Sequence, residues 1–288
     1  MIPPSFEYHA PRSIGEALSL LTSLGGDAKL LAGGHSLLPM MKLRFAQPEH
    51  LIDLARIPDL RGVREEGASL LIGAMTTEAE LLASPLVRNK VPLLAEGAAS
   101  IADPQVRSKG TVGGDISHGD PGNDHPALMI ALDASFVLTG PKGQRTVKAD
   151  GYFLGLYSTQ LAPDEILTQI RIPLPAAGSG WSYQKLKRKT GDFATAATAV
   201  LLELKGANVA KVAIALTNVA PTALKARAAE AALTGKPINE MSLGEAARLA
   251  MSICKPAADQ RGDAEYKTAM CGEMTRRALL TAAARAKG

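Results

Sequence analysis

The chain has 288 residues, enough for two domains with a sizeable core, and 46% hydrophobic against 21% charged residues is the balance of a globular protein. Its 32 basic and 28 acidic residues leave a net charge of +4, with one basic cluster, Lys185-Leu186-Lys187-Arg188-Lys189; 4% aromatics and the lack of a reading motif argue against nucleic-acid binding. Two cysteines, Cys254 and Cys271, with no C-x-x-C pair supply neither the four thiolates of an iron–sulfur cluster nor a disulfide framework, so a reducing compartment is expected. The first nine residues lack a basic segment leading into an apolar one, and no run of about 18 apolar residues occurs, so a cytoplasmic protein with no export signal or membrane span is expected.

Ser13-Ile14-Gly15-Glu16 is a capping box, and Ile14, Ala17, Leu18, Leu21 and Leu24 follow at helical spacing until Gly25-Gly26. Residues 29–32 read as a buried strand stopped by Gly33-Gly34, with Ser36 as N-cap and Pro39 in the first turn of a short helix. A second strand over 48–54 completes a β-α-β-type lobe ending near residue 56. Residues 60–65 and 68–73 alternate as a hairpin, Thr77-Glu78-Ala79-Glu80 opens another helix, and 91–100 forms a further one. Asp103-Pro104 breaks that pattern ahead of a second glycine turn, Lys109-Gly110-Thr111-Val112-Gly113-Gly114-Asp115. The stretch 117–126 is too rich in breakers to be regular, and Pro126 starts a helix over 127–132. A hairpin over 136–139 and 144–147 and a strand over 165–173 close this lobe. The flexible segment 173–180 is the best domain boundary; beyond it come strands over 181–189, 195–204 and 209–217, then an alanine-rich helical region in three segments from Thr222.

Each glycine pair has two readings. It is a structural turn, or it lets an anionic ligand reach main-chain N–H groups, and two such turns point to one phosphate-bearing ligand held from both sides. The fingerprint G-x-G-x-x-G is absent at both, which argues against a Rossmann domain; neither G-x-x-x-x-G-K-S/T nor the elbow G-x-S-x-G occurs. Asp115, His118, Asp120, Asp124 and His125 carry ligand types suited to a transition metal, which keeps a metal-dependent enzyme as an alternative class. Their spacing matches no helix-borne pair such as H-E-x-x-H, and a polar loop needs no metal, so no metal ligand is assigned.

Three motifs together carry a resemblance. Ala32-Gly33-Gly34-His35-Ser36, Thr111-Val112-Gly113-Gly114-Asp115, and Gly122-Asn123-Asp124 ahead of a proline-started helix resemble the FAD-binding medium subunits of the molybdenum hydroxylases. The run Gly119-Asp120-Pro121-Gly122-Asn123-Asp124 is similar to the carbon monoxide dehydrogenase branch of that family. The similarity extends from Met1-Ile2-Pro3 through Tyr183-Gln184-Lys185 to Arg261-Gly262-Asp263, essentially the whole chain.

The resemblance implies an α+β fold. A two-lobed FAD-binding domain of the vanillyl-alcohol-oxidase type would span 1–177, with lobes of about 1–56 and 57–177. A domain with a three-stranded antiparallel sheet and a helical bundle would span 178–288. It further implies FAD held by Ala32, Gly33, Gly34, His35, Ser36 and Leu37 and by Thr111, Val112, Gly113, Gly114, Asp115 and Ser117, the two turns taking the pyrophosphate between them. Asp124 would accept from ribose or ribityl hydroxyls, Ile101, Ala102 and Leu161 would line the cofactor, Lys185 would lie near the flavin, and Phe193 would cover its face. Without the resemblance, Lys185 reads as a solvated lysine and Phe193 as an ordinary strand residue. No catalytic residue is expected in this chain, because the cofactor carries the redox chemistry. Implied partners are a large subunit with a molybdenum-copper cofactor and a small subunit with two 2Fe–2S clusters, as a dimer of heterotrimers (a heterohexamer), with peripheral contact to the inner membrane face left open. An aldehyde or N-heterocycle remains the alternative substrate class.

Overall fold

A computed structural model describes residues 2–287. The first lobe contains β1 (Glu7–His9), α1 (Ile14–Leu24), β2 (Ala28–Leu31), α2 (Leu37–Lys42) and β3 (His50–Asp53). Its three strands are parallel in the order β1-β3-β2. Ser13 caps α1 by accepting from Glu16 N at 3.1 Å, but Glu16 reaches back to Arg12 N (2.8 Å), one residue beyond the capping box expected. Ala17 and Leu21 of α1 are buried with Ala28, Ile52, Leu54 and Ile57, so the helix covers one face of the sheet. Strand β1 is too short and too polar to announce itself in the sequence.

The second lobe runs through β4 (Val63–Glu66), β5 (Ser69–Gly73), α3 (Glu78–Ala83), α4 (Pro85–Lys90), α5 (Pro92–Ser100), α6 (Pro104–Arg107), α7 (Val112–His118) and α8 (His125–Ala131). It continues with β6 (Ser135–Gly140), β7 (Gly143–Lys148), β8 (Phe153–Gly155), β9 (Ser158–Thr159) and β10 (Ile166–Pro173). Five of these strands make an antiparallel sheet, β4-β5-β10-β6-β7, with β10 paired to β5 and β6. Two expectations change here. Asp103-Pro104 starts a helix rather than only breaking one, because the Asp103 carboxylate accepts from Val106 N at 2.9 Å. The second glycine pair lies inside the first turn of α7, whose N-cap is Thr111.

The last third comprises β11 (Gly180–Leu186), β12 (Ala196–Lys205), β13 (Asn208–Thr217), a two-residue β14 (Leu224–Lys225), α9 (Arg227–Leu233), α10 (Glu240–Ser252) and α11 (Ala264–Lys287). The sheet order is β11-β12-β13-β14, antiparallel throughout. Alternation along β12 explains its position in the molecule. Ala196, Val200 and Leu202 pack with the α9–α11 helices, whereas Ala197 and Ala199 join the core of the second lobe. With both faces covered, small residues let helices approach closely from either side. Gly180 is the extreme case, since a Cβ there would lie 1.8 Å from the Ala282 carbonyl oxygen of α11. The same alternation carries Tyr183 and Lys185 of β11 toward the second lobe.

Candidate cofactor site

The two glycine turns come from different lobes and touch. A Cβ on Gly33 would sit 2.4 Å from Lys109 O and 2.8 Å from Gly110 Cα, and one on Gly114 would sit 3.3 Å from Ala32 Cβ. Gly34 has φ +76°, a backbone that glycine reaches without strain. Among the described residues, no hydrogen bond occupies the backbone N–H groups of Gly33, Gly34, His35, Ser36 or Leu37. Ser36 makes no cap bond, contrary to its expected role; its backbone is already helical, so its hydroxyl does not face the following amides. The His35 ring nitrogen Nδ1 is tied to Gly33 O at 2.9 Å, which steadies the turn.

The second turn differs. Val112 N donates to Thr76 O (3.1 Å), Gly113 N to Ala74 O (2.9 Å), Gly114 N to the Thr111 hydroxyl (3.2 Å) and Asp115 N to Thr111 O (3.0 Å). These four amides are therefore not free, which corrects the expectation that both turns offer main-chain donors to a pyrophosphate. Val112 is a core residue, and Gly113 is required for packing, since its Cβ would meet Ala74 Cβ at 2.5 Å. Gly114 keeps the wall beside Ala32 low. Asp115 Oδ1 is buried with no partner in the protein, and burial pushes its carboxyl up to about 8. A carboxyl protonated at neutral pH adds no negative charge beside a phosphate and is free to hydrogen-bond a ligand.

A second group gathers around Ile101 and Ala102, just past α5. Ala102 has φ +41°, and Arg107 Nη1 holds the carbonyls of Ile101 (2.7 Å) and Ala102 (3.4 Å). The 188–193 turn lies against this loop, a Cβ on Gly191 being 4.0 Å from the Ala102 carbonyl carbon. Lys185 Nζ donates to Asp124 Oδ2 at 2.7 Å and to Ser100 O at 3.2 Å, while the Tyr183 hydroxyl donates to Asp124 Oδ1. The Lys185 and Asp124 side chains are only 4% and 5% exposed, so Lys185 is a buried counter-ion and not a solvated lysine. Both Asp124 oxygens have protein donors, which makes it the anchor for Lys185 and Tyr183, and each oxygen keeps a second lone pair for a ligand hydroxyl. Burial, reinforced by the Asp124 charge, holds the Tyr183 phenol well above its ordinary value, and it stays a donor.

Phe193 is 46% exposed, in contact range of Gly122, with the Arg261 guanidinium 5.4 Å from its ring centre. Asn123 Nδ2 donates to Asp115 O (3.1 Å), joining the glycine-turn group to the Asp124 group. Ser117 lies on α7, which meets β9, and Leu161 follows β9 with its N–H on the Thr159 hydroxyl (3.3 Å).

The loop residues weighed as metal ligands do not gather. Asp124 goes to Lys185, His118 stacks on Tyr157 with centroids 4.8 Å apart, and His125 Nε2 pairs with Glu78 Oε1 at 2.8 Å. That buried Glu78–His125 pair and Tyr183 escaped the sequence reading. Glu78 looks like an exposed residue in a capping box, and only the bridge between Thr77 and Thr111 brings it inside.

Two family models match the chain: the FAD binding domain in molybdopterin dehydrogenase over residues 4–175, and the CO dehydrogenase flavoprotein C-terminal domain over 181–282. The chain belongs to the FAD-binding family of the molybdopterin dehydrogenases. It is 62% identical to the carbon monoxide dehydrogenase medium chain of Hydrogenophaga pseudoflava, over 99% of both chains. It is 53% identical to the medium chain of that name from Afipia carboxidovorans, over 100% of both. The solved carbon monoxide dehydrogenase of H. pseudoflava that lacks the Mo-pyranopterin moiety superposes with a TM-score of 0.98 at 65% identity, covering 99% of each chain. The α+β fold implied by the resemblance is thus established, and the chain is a flavoprotein subunit of the molybdenum hydroxylase type.

Proposed function

We propose that this chain is the FAD-carrying medium subunit of an aerobic carbon monoxide dehydrogenase. The observation that carries the reading is the 62% identity over nearly the full length to a medium chain of that name. FAD supplies a redox centre that accepts electrons from one side of the complex and releases them on the other. The chain's own residues bind, orient and enclose it.

The residues fit such a group. The amides of Gly33 to Leu37 are directed donors for a diphosphate, with no lysine needed. Gly114 and Ala32 leave room where the two turns meet, and neutral Asp115 is available to a hydroxyl or phosphate oxygen. Ile101, Ala102 and Phe193 offer apolar surface to the isoalloxazine, and the resemblance adds Ser117 and Leu161 to the lining. Lys185, fixed by Asp124, Tyr183 and Ser100 O, places a positive charge beside that surface. FAD-binding residues are therefore assigned as Ala32, Gly33, Gly34, His35, Ser36, Leu37, Ile101, Ala102, Gly114, Asp115, Ser117, Asp124, Leu161, Lys185 and Phe193. Thr111, Val112 and Gly113 support them from behind. We divide the chain near residue 177, in the linker after β10, with the first lobe ending near residue 56.

The two cysteines build no iron–sulfur cluster, so the electrons must come from a partner. We assign that role to a small subunit with 2Fe–2S clusters, fed by a large subunit whose molybdenum-copper centre oxidises carbon monoxide. The assembly would be a dimer of heterotrimers in the cytoplasm, passing electrons to a quinone or cytochrome-type acceptor. Among the described residues, no helix is long and apolar enough to cross a membrane, and we place any contact of the complex with the inner membrane face as peripheral. Carbon monoxide-dependent dye reduction by the purified complex tests the reading. Bound flavin with reduction driven only by an aldehyde or an N-heterocycle would keep the subunit class and overturn the substrate.

A further inference from the structure

We propose that Glu7, His9 and His50 form a binding site for a divalent transition metal of the zinc class, separate from the cofactor site. The three side chains come from neighbouring parallel strands: Glu7 pairs in register with His50, and His9 with Ile52. Residues two apart on a strand point to the same face, so Glu7 and His9 present side by side on β1, with His50 beside them on β3. Their ligand atoms all lie within 4.8 Å of one another. His9 Nε2 and His50 Nδ1 are 3.2 Å apart, and His50 Nδ1 is 3.8 Å from Glu7 Oε2. A tetrahedral ion about 2.0–2.1 Å from its ligands needs those ligands roughly 3.4 Å from one another; the two separations of 3.2 and 3.8 Å bracket that value, and a small movement of the exposed Glu7 side chain brings the third ligand in.

The donor chemistry narrows the ion. Two imidazoles and one carboxylate suit zinc, cobalt, nickel or copper and disfavour magnesium and calcium, which take oxygen ligands. Two ring nitrogens at 3.2 Å attract each other only while one carries a proton; a cation bound to both removes that constraint. The Glu7 side chain is 76% exposed and free to swing onto an ion, leaving a fourth position open to water.

Position sets the consequence. His50 is level with Ala28 of β2 and His9 with Leu30, four and two residues before Ala32, so the cluster lies about 7–13 Å along the strands from the glycine turn. The ion would therefore not sit among the cofactor-binding residues. It would pin the three-residue edge strand β1 to β3 and stabilise the first lobe by binding its folded form alone.

The test uses the full 288-residue chain, freed of metal with a chelator and titrated with Co2+. One equivalent should bind with the visible d–d bands of four-coordinate cobalt, be displaced by Zn2+, and raise the unfolding temperature. His9→Gln, His50→Gln and Glu7→Gln should each weaken binding about tenfold or more, since even outer-shell changes at metal sites cost that much. Copper loaded in place of cobalt should show two imidazole nitrogens by electron paramagnetic resonance, and one in His9→Gln. Glu7→Gln changes an exposed side chain, so it decides the matter even if a histidine variant misfolds. Substoichiometric binding, or cobalt affinity unchanged in Glu7→Gln and in any folded histidine variant, would overturn the site.

Discussion

At Gly33-Gly34 the chain leaves a strand and five successive amides meet no acceptor in the protein, whereas at Gly113-Gly114 it enters a helix and the four amides from Val112 to Asp115 are all bonded internally. The pairs are alike in sequence, and each lets two backbones close on one another, yet only the first leaves its donors free. What separates them is the neighbour. Gly33 abuts the edge of another turn, while Gly113 abuts Ala74 at the end of a strand in the core. A glycine pair marks a close approach, and the neighbouring backbone decides whether the amides are used inside the protein or left for a ligand.

The largest expected effect lies at the first pair. Gly33→Val drives side-chain atoms into Lys109 O and Gly110, parting the two turns. The assembled protein should lose most of its flavin while hydrogen exchange in α10 and α11 stays as in the parent, because those helices pack on the face of the third sheet turned away from the second lobe. Full flavin content in the variant would remove the first turn from the cofactor site.

Next comes the buried pair behind the second turn. His125→Ala strands the Glu78 carboxylate, and such losses cost about 3–5 kcal/mol in denaturant unfolding. Burial opposes the charge on His125, but Glu78 outweighs it and lifts the imidazole to about 9. The folded pKa exceeds the unfolded value, so this contribution is complete below about pH 6.5 and fades as pH rises through about 9. The stability gap between parent and variant should narrow over that window. A gap independent of pH would mean the imidazole is neutral.

Gly113→Ala sharpens the contrast directly. Its added methyl meets Ala74 at 2.5–2.6 Å, an overpacking worth roughly 1–3 kcal/mol. The folded fraction should bind FAD as the parent does. A variant that keeps its unfolding temperature but releases flavin would erase the distinction between the two pairs.

A smaller effect concerns the turn that presents Phe193. Burial would raise the Asp192 carboxyl, but hydrogen bonds from Arg188 and Arg261 bring it down to about 2. Its stabilisation is present above about pH 4 and lost as pH falls through about 2, amounting to roughly 1–2 kcal/mol once solvent around Arg188 is allowed for. Arg261→Ala should remove part of it, seen as acid unfolding at higher pH.

Much of this architecture is legible in the chain. Capping residues, glycine stops and alternation place most helices and strands, since those signals act within a few residues. What stays hidden depends on distant partners. The spacing of Glu78 says capping box, and its burial follows from a bridge between Thr77 and Thr111 that local sequence does not encode. Asp124 reads as a loop acceptor until β11, some sixty positions later, brings Tyr183 and Lys185 to both of its oxygens. Among the residues that the resemblance implies, hydrogen bonding separates amides already used inside the protein from amides left free.

Phe193 carries the smallest predicted change in stability and the sharpest test of that sorting. Its ring is nearly half exposed, leans on Gly122, and has Arg261 above it, so truncation removes little buried area. Phe193→Ala should shift unfolding by no more than about 0.5 kcal/mol, as surface changes usually do. If the ring covers the flavin, the same variant should alter the fluorescence and visible circular dichroism of the bound cofactor, because water then reaches a face that the phenyl group had shielded. A loss of more than about 1 kcal/mol with an unchanged flavin spectrum would make Phe193 a strut between Gly122 and Arg261. The open site would then extend toward Ile101 and Ala102 alone.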